Sequence, residues 1–98
     1  MKNIISKKML REFWQKHPDA KGALEAWHAE AKSAKWANPT DIKAQYASAS
    51  ILKGNRVVFN ICGNKYRLIV KINYEHEVIR IHFVGTHKEY DSIDAETV

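Results

Sequence analysis

The first half of the chain carries apolar residues at three- and four-residue steps, which is the spacing of amphipathic helices. Two such stripes occur, the first made of Leu10, Phe13 and Trp14 and the second of Leu24, Trp27, Ala31 and Ala34. We expect the first helix to end at Pro18, because the residue before a proline disfavours the α region. Asp19 can then cap the second helix, since its carboxylate can accept from a free backbone N–H.

From residue 56 the period of apolar residues changes to two, which predicts β-strands. Gly63 and Asn64 indicate a tight turn between the first two of these strands, because both residues tolerate positive φ. A short strand at residues 2–5 precedes the helices. The element order is therefore β-α-α-β-β-β. It predicts an α+β fold in which two N-terminal helices pack on one face of an antiparallel sheet, with the other face partly open.

Length and composition agree with a single domain over residues 1–98. The chain has 98 residues, of which 45% are hydrophobic, and no apolar run approaches the length that spans a membrane. The basic N-terminus lacks the long apolar core of a signal peptide. Cys62 is the only cysteine, so no internal disulfide can form. These features predict a cytoplasmic protein.

The charge of the chain adds a functional indication. Sixteen Lys and Arg residues stand against eleven Asp and Glu residues, and four of the acids lie in the last ten residues, where there is no Lys or Arg. The body of the protein is therefore more basic than the net charge of +5 suggests. A basic body favours polyanionic partners, and nucleic acid is the most common of these.

The segment 85–91, Gly-Thr-His-Lys-Glu-Tyr-Asp, is the densest set of groups that could carry chemistry. Cleavage of RNA by its own 2′-hydroxyl needs proton transfer and stabilisation of charge on the phosphate, and His, Lys, Tyr and Arg can supply both. Such a segment is equally typical of a solvated junction between a strand and a tail, with a cap at Thr86. Arg67 is open to the same two interpretations, as a phosphate clamp or as a surface cation near Glu75 and Glu77.

Other candidate groups carry weaker indications. Lys65 and Lys71 flank Arg67 along one predicted strand, and Lys53 and Arg56 lie beside a Gly54-Asn55 loop, so all four could contact a nucleic-acid backbone. His17, His28, His76 and His82 carry little indication of function by position. No pair of Cys or His residues has the close spacing of a structural zinc site, so we expect no metal and no cofactor.

Two segments are similar to signatures of the HigB branch of RelE-like toxins. Residues 58–68, Val-Phe-Asn-Ile-Cys-Gly-Asn-Lys-Tyr-Arg-Leu, resemble the hairpin signature of that family. Residues 84–91, Val-Gly-Thr-His-Lys-Glu-Tyr-Asp, resemble its C-terminal signature. The resemblance extends over nearly the whole chain, and both motifs occur in the family's order.

The resemblance implies a RelE-like fold and a toxin of a type II toxin–antitoxin system that cuts mRNA in the ribosomal A site and so inhibits translation. It implies a HigA-type antitoxin with a helix-turn-helix domain, and operator DNA bound only through the toxin–antitoxin complex. Residue by residue, Arg67 matches a strand arginine near the scissile phosphate and Tyr90 matches a functional tyrosine. His87 and Lys88 stand where other branches carry different basic residues, so the general acid and the general base stay open.

The resulting hypothesis names His87 for proton transfer, with Arg67 and Lys88 stabilising phosphate charge and Tyr90 orienting RNA. The RNA-contacting residues are predicted to be Lys53, Arg56, Asn64, Lys65 and Lys71. The alternatives are a non-catalytic RNA-binding or translation-regulating module of the same fold, and a DNA-binding or interaction protein. The acidic tail is expected to be open, so that removal of residues 93–98 would leave the fold intact.

Overall fold

The computed structural model describes all 98 residues. Four α-helices and five strands follow one another as β1 (Asn3–Ile5), α1 (Lys7–Lys16), α2 (Lys21–Ser33), α3 (Pro39–Gln45), β2 (Ser50–Leu52), β3 (Arg56–Ile61), β4 (Tyr66–Asn73), β5 (Val78–Thr86) and α4 (His87–Asp91). Short 3₁₀ turns at Pro18–Ala20 and Lys53–Asn55 link two of these pairs. None of the helices is long and apolar enough to cross a membrane.

The five strands form one sheet in the order β1-β5-β4-β3-β2. Neighbouring strands from β2 to β5 are antiparallel, whereas β1 lies parallel to β5 with Asn3 opposite Val78. The α+β class is therefore confirmed, but the sheet is mixed and not wholly antiparallel. The direction of β1 could not be read from a hairpin, because most of the chain separates it from its partner.

One strand, β2, and two helices, α3 and α4, go beyond the predicted element order. Ser50 pairs with Val58 in the three-residue strand β2, which is too short for a period of two to be recognised. Asn38 caps α3 by accepting a hydrogen bond from the Asp41 N–H, and Pro39 takes the first helical position, where its missing donor costs nothing. Ile42 of α3 is fully buried and joins the core, and the three added elements leave the arrangement of the other strands unchanged.

The core lies between the helices and one face of the sheet. Most of the predicted helix stripes are confirmed, since Leu10, Phe13, Leu24, Trp27 and Ala31 are all buried. Trp14 and Ala34 are only half-buried, and Ala34 lies just beyond the end of α2. They pack against the alternate residues of the three long strands, namely Val57, Phe59, Ile61, Tyr66, Leu68, Val70, Ile72, Ile79 and Ile81. Burial of this continuous apolar layer is the main driving force that fixes the strand register.

The opposite face of the sheet is less open than expected. Val58 and Ile69 lie on that face and outside the main core, yet they are only 3% and 0% exposed. The Arg56 guanidinium donates hydrogen bonds to the main-chain oxygens of Ala95 and Val98, at 3.2 and 2.7 Å. The expectation of an open tail is therefore wrong, because these hydrogen bonds tie the last residues to Arg56 of β3.

Candidate active site

Helix α4 begins where β5 ends, and reciprocal hydrogen bonds fix this junction. The Thr86 hydroxyl oxygen accepts from the Glu89 N–H at 3.1 Å, and the Glu89 carboxylate accepts from the Thr86 N–H at 2.8 Å. This capping box satisfies two backbone donors that a helix start leaves free. It also holds the pKa of Glu89 below its ordinary value, chiefly through the Thr86 N–H. The cap predicted at Thr86 is thus present, and it positions the residues that follow.

His87 is the first residue of α4 and is held from two sides. Its N–H donates to the Lys65 carbonyl at 3.2 Å, which ties the helix to the turn before β4. Its Nδ1 lies 3.0 Å from the Asp91 carboxylate, one helical turn further on. A carboxylate on Nδ1 orients an imidazole ring and leaves Nε2 for a substrate. The ring itself is exposed to solvent.

A cleft of about 600 Å³ opens beside His87. Its walls come from the end of α1, the 3₁₀ turn that follows, the start of β4 and the start of α4. The lining residues are Lys16, His17, Pro18, Asp19, Lys65, Tyr66, Thr86, His87 and Lys88. Three cations and two histidines thus surround one concave surface, which is suited to an anionic ligand.

Asp19 is the one acid in this lining, and it pairs with two neighbours. Its carboxylate forms an ion pair with Lys65 and accepts a hydrogen bond from the Tyr66 hydroxyl at 2.6 Å. The hydrogen bonds from Lys65 and then Tyr66 lower the pKa of Asp19, and the same contacts raise the pKa of Lys65 and of Tyr66. The predicted capping role of Asp19 is therefore wrong, because this side chain crosses to β4 instead of the helix.

Arg67 and Tyr90 meet outside the cleft. Successive residues of a strand point to opposite faces, so Arg67 faces away from the core that holds Tyr66. The Arg67 guanidinium donates to the carbonyls of Asn64 and Tyr66, at 2.9 and 3.2 Å, and lies 5.7 Å from the centre of the Tyr90 ring. The side chain is half-buried, so the pair forms a fixed cationic and aromatic surface on the other side of α4.

The remaining predicted RNA contacts do not all come together. Asn64 and Lys65 lie in the turn that borders the cleft, whereas Lys71 lies about 13 Å from Arg67 along β4. Lys71 and Arg56 face each other across β3 and β4 at the far end of the sheet, with exposed Lys53 nearby in the preceding 3₁₀ turn. The guanidinium of Arg56 is bound to the tail, so only Lys53 and Lys71 of these three are free of hydrogen bonds to the protein.

Sequence reasoning missed His17 and Asp19 as site residues. His17 stacks on Phe13 with 4.5 Å between ring centres and lies 5.4 Å from the Tyr66 ring. The local signal was the polar run Lys16–Asp19 around a proline, directly after an amphipathic helix. That pattern indicates the end of a helix, but it does not show which distant residues contact this helix end in the folded protein. No three His, Cys, Asp or Glu side chains converge in a way that could hold a metal ion.

The sequence of this chain is similar to those of known toxins. A sequence model described as the HigB toxin, the RelE-like toxic component of a toxin–antitoxin system, matches residues 20–93. The mRNA interferase toxin HigB of Escherichia coli strain K12 is 30% identical over 95 residues, which cover 95% of this chain and 91% of the relative. The mRNA interferase HigB of Shigella flexneri matches to the same extent. The chain belongs to the HigB family of RelE-like toxins of toxin–antitoxin systems.

Proposed function

We propose that this protein is an endoribonuclease that cuts mRNA in the A site of the ribosome and thereby inhibits translation. The observation that carries the proposal is the position of His87, which a carboxylate orients at the edge of a cleft lined by Lys16, Lys65 and Lys88. The names of the relatives, which describe mRNA interferases, support the same substrate. The basic composition of the chain favours a polyanion as well.

The proposed reaction uses side chains and no metal. An RNA 2′-hydroxyl attacks the adjacent phosphorus, and His87 transfers a proton at the reacting atoms. Lys88 in the cleft and Arg67 on the neighbouring surface stabilise negative charge on the phosphates, because a fixed cation offsets the charge that develops in the transition state. Tyr90, held beside Arg67, presents a ring on which a base can stack and so orients the RNA.

Residues outside the cleft would contact parts of the RNA that lie away from the cut. Asn64 and Lys65 border the cleft and would contact the RNA next to the cut, whereas Lys53 and Lys71 lie far enough away to contact a separate backbone segment. Arg56 was predicted in this group, but its hydrogen bonds to the tail assign it a structural role in the free toxin. Cations that contact phosphates contribute affinity without sequence preference.

The proposal includes a protein partner. Membership of a toxin–antitoxin family implies a cognate antitoxin, and we propose that it is of the HigA type with a helix-turn-helix domain. Operator DNA would then be bound by the complex through the antitoxin. We expect the antitoxin either to cover the basic cleft or to prevent its access to the ribosome.

Cleavage-site mapping with purified toxin tests the proposal. One mRNA is offered free in solution and then programmed on ribosomes, and the ends of the fragments are sequenced. We expect cuts only on the ribosome and in register with the A site. Cuts on free RNA would retain the nuclease and remove the ribosome from the mechanism. Folded toxin that binds ribosomes without cutting in either setting would favour the non-catalytic RNA-binding module.

A further inference from the structure

We propose that His17 is a second catalytic residue, which donates the proton to the leaving 5′-oxygen while His87 accepts the proton of the attacking 2′-hydroxyl. The inference rests on the proposed nuclease function and adds to it the identity of the general acid. Cleavage of RNA by its own 2′-hydroxyl needs two proton transfers on opposite sides of the phosphorus, so one histidine alone leaves one of them without a group.

The position of His17 in the cleft carries the assignment. His17 ends α1 and His87 begins α4, so the two rings belong to different elements that line the same cleft. An attacking oxygen and a leaving oxygen lie roughly in line through the phosphorus. Two proton-transfer groups on separate walls of one cleft therefore suit this geometry better than two neighbours on one helix.

The ring of His17 is held in place by its neighbours, unlike that of an unconstrained surface residue. Its ring is half-buried, stacked on Phe13 at 4.5 Å and tilted against Tyr66 at 5.4 Å between ring centres. No hydrogen bond from another protein group occupies the ring nitrogens, so they are free for a substrate oxygen. A ring with fixed orientation and free nitrogens is what a proton donor needs.

The partner of each histidine divides the two roles. His87 has the Asp91 carboxylate 3.0 Å from Nδ1, which fixes the orientation of the ring and leaves Nε2 to accept a proton. His17 has no carboxylate on its ring and lies near Lys16. The charged groups that border the two rings are Glu12, Lys16, Asp19, Lys65, Lys88, Glu89 and Asp91.

The two histidines and the RNA account for every bond and proton in the proposed step. His87 takes the 2′-hydroxyl proton as the bond from O2′ to phosphorus forms. The bond from phosphorus to O5′ breaks, and protonated His17 gives its proton to O5′. The products are a 2′,3′-cyclic phosphate and a 5′-hydroxyl. His87 then releases its proton to solvent and His17 takes one up from solvent, which restores both rings.

A leaving group that needs no proton provides the sharpest test. We would replace the O5′ at the mapped cut site by sulfur, because a thiolate leaves without protonation. Wild type, His17→Gln, His17→Phe and His87→Gln are compared on both ribosome-bound mRNAs. His17→Phe keeps an aromatic ring beside Phe13 but cannot carry a proton, and His28→Gln on α2 is the matched control away from the cleft.

We expect both His17 variants to cut ordinary mRNA about 100-fold or more slowly than wild type, with unchanged melting temperature and ribosome binding. On the sulfur-containing mRNA their rates should return to within about tenfold of wild type, whereas His87→Gln should stay slow on both substrates, since a missing base is not replaced by a better leaving group.

Ordinary cleavage by the His17 variants at wild-type rates, or slow cleavage that sulfur does not restore, would overturn the role of His17 as the acid. Either result would leave the nuclease function in place, because wild type would still cut. Wild-type toxin that cuts neither mRNA would instead overturn the proposed function itself.

Discussion

The two ends of the sheet are both basic, but they are built differently. At one end the start of β4 and the end of β5 meet α1 and α4, and the side chains there are joined in pairs: Lys65 with Asp19, His87 with Asp91 and Arg67 with Tyr90. At the other end Lys53, Lys71 and Arg80 are exposed and take part in no ion pair.

Under the proposed function, the difference would separate a reactive site from a binding surface. Proton transfer needs atoms held within a fraction of an ångström, and the paired end supplies that order through hydrogen bonds and a capping box. Attraction of a phosphate backbone needs only charge at the surface, and the far end supplies it without fixed geometry. We therefore expect substitutions at the first end to change the rate of the chemical step and substitutions at the second to change affinity.

The largest effect is expected from His87→Ala. Loss of the proton-transfer group should lower the rate constant for cleavage of ribosome-bound mRNA by about 10² to 10⁴, with the melting temperature unchanged because the ring is exposed. Single-turnover cleavage of programmed ribosomes measures this rate. Lys21→Ala, an exposed change on α2, serves as the control, and a His87→Ala protein with nearly full cleavage rate would remove this end of the sheet from the chemistry.

The tail gives the next effect, on stability. Removal of residues 93–98 breaks the two Arg56 hydrogen bonds and removes the half-buried Ile93, Ala95 and Val98, and we expect a loss of about 2 to 4 kcal/mol in the free energy of unfolding. Urea denaturation followed by tryptophan fluorescence measures the loss.

A narrower variant separates the contribution of the hydrogen bonds from that of the half-buried tail residues. Arg56→Gln should cost about 1 to 3 kcal/mol, and Arg80→Gln, an exposed arginine on β5, should cost less than about 0.5 kcal/mol. Equal unfolding midpoints for the truncated and full-length proteins would mean that the tail does not stabilise the second face of the sheet.

A smaller effect on affinity is expected at the far end. Lys71→Glu should raise the KM for programmed ribosomes about tenfold, because the reversed charge repels phosphate. The kcat should not change, because Lys71 lies far from the cleft. The dependence of affinity on salt concentration should also weaken, by a slope of about 1 for each phosphate that the variant no longer binds. Lys35→Glu carries the same charge change on another surface, so an equal effect of both variants would point to net charge alone.

The smallest effect concerns the capping box and its pH dependence. The Thr86 N–H lowers the pKa of Glu89 in the folded state, so the ionised form stabilises the fold above the ordinary value of 4.5, and this contribution disappears as pH falls through the lowered pKa. Glu89→Gln keeps an acceptor but removes the charge, and we expect it to be about 0.3 to 1 kcal/mol less stable at pH 7.

That difference should shrink towards pH 3, as seen in urea midpoints measured from pH 7 to 3. Thr86→Ala removes the other half of the box and should cost about 1 kcal/mol at both pH values. A gap between wild type and Glu89→Gln that stays constant with pH would show that the charge contributes nothing.

Local pattern determined much of what could be predicted. The apolar stripes of α1 and α2 and the alternation in β4 specify which face of each element is buried, since burial of apolar surface depends on periods that are visible in the sequence. The turn between β3 and β4 and the cap at Thr86 follow from local backbone chemistry in the same way, although positive φ falls on Cys62 and Gly63 and not on Gly63 and Asn64. The polar segment 85–91 also identified His87 and Lys88 as candidates.

Contacts between distant residues were decided only by the tertiary structure. Asp19 meets Lys65 across 46 positions, and the cleft exists because the parallel pairing of β1 with β5 brings the end of α1 to the start of α4. Arg56 meets the tail across about 40 positions, a contact that the alternation of residues does not show. Sequence periodicity shows which side of an element is buried, but the choice of partner depends on the total free energy of packing, which no single segment contains.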